Sequence, residues 1–427
     1  MFTTKQGSIA VWLLALLLAG ATMAWADEPA ADAEEEDDSV PAGVSYSLEA
    51  TGSNHHVKNA YFTKDQNSDW SEGFARARGF YGFGKGAYVT AGGVVMLTQG
   101  TDYFGTKDEN DGLLDQLALV VPNVGESGFG FSIGRQPISL GDGFLVGDGY
   151  YDRRAALWNI PLSFYDGVTG HFAKGPHSLT AAVTDFSPSV AGPDVDTQGL
   201  IMAGEYAWSP KDGDQLALTF VRADVDFDDE NSTPGAFSVR GKHAAGAVSF
   251  GGEFVIENGE MYGAKMAGKG GHAEVMWQGE GRFKPSVKLQ GFWYSGDDPD
   301  TEKNEGYFPW QFSWSDWSNW YVGDLLGSTV LTSSNMRTIL AQVALTPREG
   351  TGFRVLAHRF DRVEAEEKPF AYEFDAVIDQ ELPRGFSAWV MGAYATPLDG
   401  GKLEFGEENS MQLFAAVSWK FSGKVAQ

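Results

Sequence analysis

Residues 411–421 read MQLFAAVSWKF. Met411, Leu413, Ala415, Val417, Trp419 and Phe421 are apolar at every second position. Between them stand Gln412, Phe414, Ala416, Ser418 and Lys420, the set that holds all the polar residues of the stretch. A period of two that ends on an aromatic makes a strand with one apolar and one wetter face. Other stretches repeat the pattern. Val44, Tyr46, Leu48 and Ala50 oppose Ser45, Ser47, Glu49 and Thr51. Val287, Leu289 and Trp293 oppose Lys288, Gln290 and Tyr294, and Phe370, Tyr372, Phe374 and Ile378 oppose Glu373, Asp375 and Asp379. Strands of this kind build barrels of the outer membrane, whose outer face meets lipid and whose inner face meets water. A charge facing lipid at mid-depth costs roughly 2–4 kcal/mol, so the polar members are expected in the lumen.

The connections point the same way. Lys85-Gly86, Asn123–Ser127, Gly175-Pro176, Ser209–Asp214, Gly281–Pro285, Pro347–Gly350 and Leu382–Gly385 read as short turns. Between them lie longer polar stretches such as TDYFGTKDENDG (101–112) and SPSVAGPDVDTQG (187–199). Alternating short and long connections suit periplasmic turns and external loops. The expectation is an all-β chain: a transmembrane antiparallel β-barrel of about 18 strands (16–18) over residues 44–421. An even count returns both ends of the barrel to the periplasm.

The N-terminus fits export. Lys5, an apolar stretch from Ile9 to Ala19, and Ala24-Trp25-Ala26 before Asp27 form a signal-peptide pattern over residues 1–26. That stretch is short for a spanning helix, and no later segment approaches 18 apolar residues. Glycine (54 residues) and aromatics (13%) are abundant while mean hydropathy is only −0.24, the average of a chain that hides its lipid face by alternation. There is no cysteine, so disulfides play no part. The formal charge of −27 becomes −28 once residues 1–26, with one Lys and no acid, are removed. That balance argues against nucleic acid as a partner. DEPAADAEEEDD (27–38) reads as part of a disordered acidic tail over residues 27–43, because repelling charges without aromatics form no core. Residues 422–427 read as a short C-terminal extension.

GFGFSIGRQPISL (128–140) breaks parity: Phe129, Phe131 and Ile133 are odd, Ile138 and Leu140 even. A bulge at Gly134 would supply the extra residue and turn Arg135 into the lumen.

GRQPISLGDGFLVGD (134–148), followed by YDRRAALWNIPLSFYDGV (151–168), resembles the alginate-export family of outer-membrane barrels. YSGDDPDTEKNEGYFPWQFSW (294–314) and SSNMRTILAQVALTP (333–347) resemble further motifs of that family in the same order. The resemblance implies a monomeric barrel in the bacterial outer membrane that passively conducts an anionic polysaccharide, or another small charged or polar solute, without catalysis or cofactor. A periplasmic partner would fit such a role. Candidate pore-lining residues are Arg76, Arg78, Arg135, Arg153, Arg154, Lys288, Arg354, Arg362, Glu373 and Asp375. The match to the family is direct for Arg135 and for Arg153 or Arg154; the rest follow from strand parity. The acids in this lumen depart from what an alginate path needs. A structural barrel plugged by its loops is the alternative, and a barrel-embedded hydrolase a third.

Several residues carry two readings. Arg76 and Arg78 form either a basic rung that attracts anions or braces paired with lumen carboxylates. The connection 141–160, with Asp148, Asp152, Arg153 and Arg154, has the glycines and apolar residues of a loop folded into the barrel. Trp310, Trp314, Trp317 and Trp320 share a helical spacing; they either stack on sugar rings or pack a loop on the rim. GFSIG (130–134) matches a serine-hydrolase motif, but no helix follows Ser132. Asp224, Asp226, Asp228, Asp229 and Glu230, and Asp297, Asp298, Asp300 and Glu302, are acidic clusters that could weakly hold a divalent cation, with solvated loop charge as the default.

Overall fold

The computed structural model describes residues 43–425 apart from 85, 102–109, 126, 147–164, 186–196, 228–229, 311–322, 324, 332–333 and 368. Strands run in chain order as β1 (Gly43–Lys58), β2 (Ser68–Gly84), β3 (Ala87–Thr101), β4 (Asn110–Val121), β5 (Phe129–Gln136), β6 (Tyr165–Lys174), β7 (His177–Asp185), β8 (Thr197–Lys211) and β9 (Asp214–Phe227). They continue as β10 (Gly235–Ala245), β11 (Val248–Asn258), β12 (Lys269–Gln278), β13 (Ser286–Tyr294), β14 (Met336–Arg348), β15 (Thr351–Arg362), β16 (Pro369–Leu382), β17 (Phe386–Pro397) and β18 (Ser410–Lys424). Each strand pairs antiparallel with its sequence neighbours, and β18 returns to pair with β1 from Ser45↔Lys424 to Lys58↔Met411. The result is a closed antiparallel barrel of 18 strands. Closure pairs every strand on both sides, the condition for crossing lipid with β-structure.

The alternation predicted from the sequence sets the two faces. Met411, Leu413 and Val417 are exposed on the outer wall, while Gln412 and Phe414 are buried in the lumen. At the short-turn end Trp419 stacks on Phe421 at 6.1 Å, and Tyr46 and Phe386 complete an aromatic girdle. At the other end Tyr372 and Tyr394 face outward, 38% and 39% exposed. Such rings mark the two membrane interfaces. β18 continues to Lys424, so Ser422–Lys424 extend the last strand rather than trail from it.

Two irregularities matter for the interior. In the β3–β4 ladder Gly92 pairs with Gln116 and Gly93 with Leu114, which leaves Asp115 as the extra residue. The bulge lets Leu114 and Leu117 both face lipid and turns Asp115 inward, fully buried. No shift interrupts β5, whose pairing with β6 runs evenly from Phe129↔Phe172 to Gln136↔Tyr165. The expected bulge at Gly134 is therefore absent. The parity break between Ile133 and Ile138 arises instead because β5 ends at Gln136, before Pro137, which lacks the N–H a ladder needs. Ile138 and Leu140 lie beyond the strand and turn inward, both buried. Arg135 keeps the face of Ile133 and points outward near the external rim. It pairs with Asp166, Nη2 to Oδ2 2.6 Å, and donates from Nη1 to the Leu114 carbonyl. The lumen position expected for Arg135 is corrected accordingly.

Candidate functional site: the lumen and its loops

The interior is built from inward residues of alternate strand positions plus segments of external connections. On one wall Arg76 lies 3.3 Å from Glu49 and 3.0 Å from Asp115, with its guanidinium over the Phe74 ring at 5.4 Å. Arg78 shares Asp115 at 2.8 Å. Gly92 makes room: a Cβ there would fall 2.5 Å from Arg78 Cγ and 2.8 Å from Asp115 Oδ1. Of the two readings for these arginines, the geometry matches the braced one. A buried carboxylate held by two guanidiniums, Arg76 buried and Arg78 partly buried, avoids the cost of an unpaired interior charge.

The connection after β5 turns into the barrel. Leu140 N donates to the Val146 carbonyl at 2.9 Å and closes a tight hairpin whose tip is Gly141–Gly143. Gly141 has φ of +63°, and a side chain there would meet Glu205 and Arg240. From the tip, Asp142 reaches the wall five strands away and accepts from Arg240 and Lys242 of β10, both at 2.7 Å. Arg240 is 4% exposed and also bonds Glu205 of β8 at 3.1 Å. Next to it Phe144 packs against His272, Tyr294 and Tyr307 at centroid distances of 5.3, 6.1 and 6.4 Å. The segment is therefore held by a charged contact at its tip and an aromatic nest behind it. Arg153, Arg154, Asp148 and Asp152 lie outside the described residues.

A second segment enters from the long connection after β13. Residues Leu326–Val330 form one π-helical turn, and the backbone N–H groups of Leu325 and Leu326 donate to the two carboxylate oxygens of Glu373, each at 2.9 Å. Both leucines are buried, in one apolar cluster with Phe144, Leu145, Phe360 and Phe370. Glu373 thus anchors a loop; Asp375 sits one inward position further along, 3.3 Å from His358 Nε2. Lys288 faces the lumen 3.3 Å from Glu274, and Arg354 does so 3.3 Å from Asp379. Arg362 lies at the external rim, its Nε 3.0 Å from Glu404 and its guanidinium over Phe370 at 5.1 Å. Trp310 packs edge-on to Phe308 at 5.8 Å, against the core; Trp314, Trp317 and Trp320 lie outside the described residues.

Sequence reasoning missed Asp115, Asp142, Glu205 and Arg240. Arg240 and Lys242 were legible by parity, since Phe237 and Val239, at the alternate positions just before them, are lipid-facing. Asp142 had no such signal, because its partners are about a hundred residues away in the chain. At the hydrolase-like motif the Ser132 hydroxyl bonds Gln136, and the nearby His171 bonds the Pro122 carbonyl instead of the serine. Of the acidic clusters, Asp224 and Asp226 on β9 accept from the Asn231 side chain, Asp228 and Asp229 lie outside the described residues, and Asp297 and Asp298 accept from the backbone N–H groups of Glu305 and Asp300 and so brace their own loop. Among the described residues no three such groups converge on a metal position.

No protein-family model matches the sequence, and no curated protein matches it. Solved structures do resemble it in fold. Pseudomonas aeruginosa OccK2 (OpdF) is 14% identical with a TM-score of 0.60, over 90% of this chain and 98% of that one. Pseudomonas aeruginosa OccK5 (OpdH) is 12% identical with a TM-score of 0.57, over 89% and 98%. A variant of OccD1 (OprD) is 13% identical with a TM-score of 0.54, over 92% and 100%. The chain is an integral β-barrel protein of the bacterial outer membrane. These neighbours are barrels of the Occ/OprD group; they support an outer-membrane β-barrel and do not support membership of the alginate-export family.

Proposed function

We propose that the chain is a monomeric, passive channel for a small polar or charged solute. The observation that carries this is the pair of inward segments, each anchored to the barrel wall by a charged side chain: Asp142 on Arg240, and Leu325-Leu326 on Glu373. A general pore needs no such narrowing; a selective one does. Interior loops held by point contacts on a rigid wall also fix where a solute's polar groups would meet the protein. The structural neighbours belong to a group of outer-membrane porins, which agrees with this reading.

The finer reading, export of an anionic polysaccharide, has less support. Arg76, Arg78, Arg240, Arg354 and Arg362 each lie within salt-bridge distance of a carboxylate. Compensated arginines offer a polyanion little net attraction, so a small cation or zwitterion suits this interior better. A plugged structural barrel is the competing reading, favoured by the apolar cluster that joins both inward segments.

Single-channel recording in planar bilayers tests the choice. A selective channel gives small, discrete steps with a cation preference at low salt, where screening is weak. Absence of any steps from folded protein would favour the plug. A strong anion preference with block by a soluble polyuronate would restore the polymer reading.

A further inference from the structure

The outer wall carries a cavity of about 580 Å³ across β10 to β14. It lies on the lipid side, because its side-chain borders are the outward Val239, Phe254, Trp293, Arg337 and Ile339. Its floor is one row of ladder neighbours: Gly252↔Ala273↔Gly291, continuing to Ile339 on β14. No side chain longer than a methyl group rises from the first three. Phe254 and Trp293 stand above the row; Phe250, Val275 and Leu289 stand below it, themselves ladder neighbours. The trough therefore has apolar walls on both sides. The space is real: a Cβ added at Gly291 would meet nothing nearer than 3.9 Å.

The upper end of the trough is charged. Arg337 borders it, and Arg359 is the ladder neighbour of Ile339 on β15. Both point outward near the level of Tyr372, the neighbour of Arg359 and part of the external girdle. Their side chains are 57% and 48% exposed, and both contact one carboxylate, Asp361, at 2.7 and 3.3 Å. Two guanidiniums on one carboxylate leave a net positive charge turned toward the membrane, at headgroup height.

We infer that this trough is a lipid site: Arg337 and Arg359 hold the phosphate of an outer-leaflet glycolipid, and one of its acyl chains lies along Gly252–Gly291. Three observations converge on that occupant. The site faces lipid, it lies on the long-loop side that meets the outer leaflet, and its charged end is cationic. Guanidinium forks suit phosphate oxygens, and a groove without side chains lets an acyl chain contact the backbone closely.

Binding of diphosphoryl lipid A to the detergent-solubilised barrel, read by native mass spectrometry against phosphatidylethanolamine, tests it. Arg337→Gln with Arg359→Gln should weaken lipid A binding by about tenfold or more, the loss expected when charge-assisted bonds to a phosphate are removed. Gly291→Leu, which fills the trough and leaves both arginines, should also weaken it. Heat-shifted gel mobility of each variant checks that the barrel is closed. The inference is overturned if folded variants bind lipid A as the parent does, or if the parent binds lipid A no better than phosphatidylethanolamine. Either result leaves the channel reading untouched, since these residues face away from the lumen.

Discussion

Replacing Asp142 with alanine should loosen the inward hairpin and enlarge the conducting path. Asp142 makes two contacts with β10. The one to Arg240, on a side chain only 4% exposed, is a charge-assisted bond in a dry setting, worth roughly 1.5–3 kcal/mol. The one to Lys242, 43% exposed, is screened and worth roughly 0.2–1 kcal/mol. Arg240 keeps Glu205 at 3.1 Å after the change, so it is not left unpaired and the low end applies. A loss of about 2 kcal/mol shifts the balance between docked and undocked hairpin by roughly thirtyfold. Phe144, Leu145 and Val146 still hold the segment, so the docked form should remain dominant and the undocked form should appear as brief events. The assay is single-channel recording of Asp142→Ala beside the parent: long records should show added, larger conductance levels, more frequent by at least an order of magnitude. If a folded Asp142→Ala protein shows the same levels and dwell times as the parent, the hairpin does not limit the path and the argument for its anchoring role fails.

Arg135→Gln should leave ion selectivity unchanged even at low salt, and a thiol placed at 135 should react with lipid-soluble reagents in preference to water-soluble ones; the reverse pattern would return this residue to the lumen. Glu373→Ala removes the acceptor of two buried N–H groups, at a cost of roughly 1–3 kcal/mol for each left unsatisfied. It should expose the 325–331 segment to protease added from the external side, a cleavage the parent resists. Gly92→Val should destabilise the barrel by several kcal/mol, as it displaces the Arg78–Asp115 contact; an unchanged urea midpoint would show that the buried charge cluster relaxes freely. Purified protein should give a β-dominated circular dichroism spectrum and a mobility shift on heating, and a helical spectrum would rule out the barrel.

The barrel itself was legible because membrane strands declare their faces. In β1, β13 and β18 the apolar members fell on the lipid side as expected, as did Tyr372, Phe374 and Ile378 of β16, and short turns such as Gly175-Pro176 fell between strands. Phe370, expected beside them, is instead buried in the interior cluster, because the β15–β16 ladder shifts register there and leaves it as the extra residue. What parity could not supply was where a strand stops. GFGFSIGRQPISL reads as one strand with a defect, yet it is a strand of eight residues followed by an inward hairpin, and Arg135 was misplaced as a result. The true bulge, at Asp115, was hidden because Leu114 and Leu117 look acceptable in either register. Interior partners were illegible for a different reason. Asp142 with Arg240, and Glu373 with Leu325, meet only after the sheet has closed, and no local pattern reports a meeting across a lumen. The resemblance to alginate exporters was carried by short motifs in this stretch and at 294–314 and 333–347, parts of which lie outside the described residues. It pointed to the right membrane and architecture, but the fold neighbours named above are of the Occ/OprD group and do not support the alginate-export family itself.

The seam between β1 and β18 has a consequence for how the chain is made. Its contacts, such as Thr51 Oγ1 with Ser418 Oγ and Glu49 with Lys420, join residues more than 360 positions apart. Every other strand finds its partners next to it in sequence, so those hairpins can form as the chain arrives, whereas the seam waits for the last residues. Until then β1 and β18 are both open edges, each with a row of unsatisfied N–H and C=O groups and an apolar face that water cannot stabilise. An unfinished barrel is thus an adhesive object with two ends that fit each other and fit the ends of its siblings equally well. Delivery to the membrane must keep those ends apart from other copies, and insertion must bring them together within one. The cost of a shortened C-terminus would then show in the yield of closed barrels before it showed in the properties of any barrel that did close.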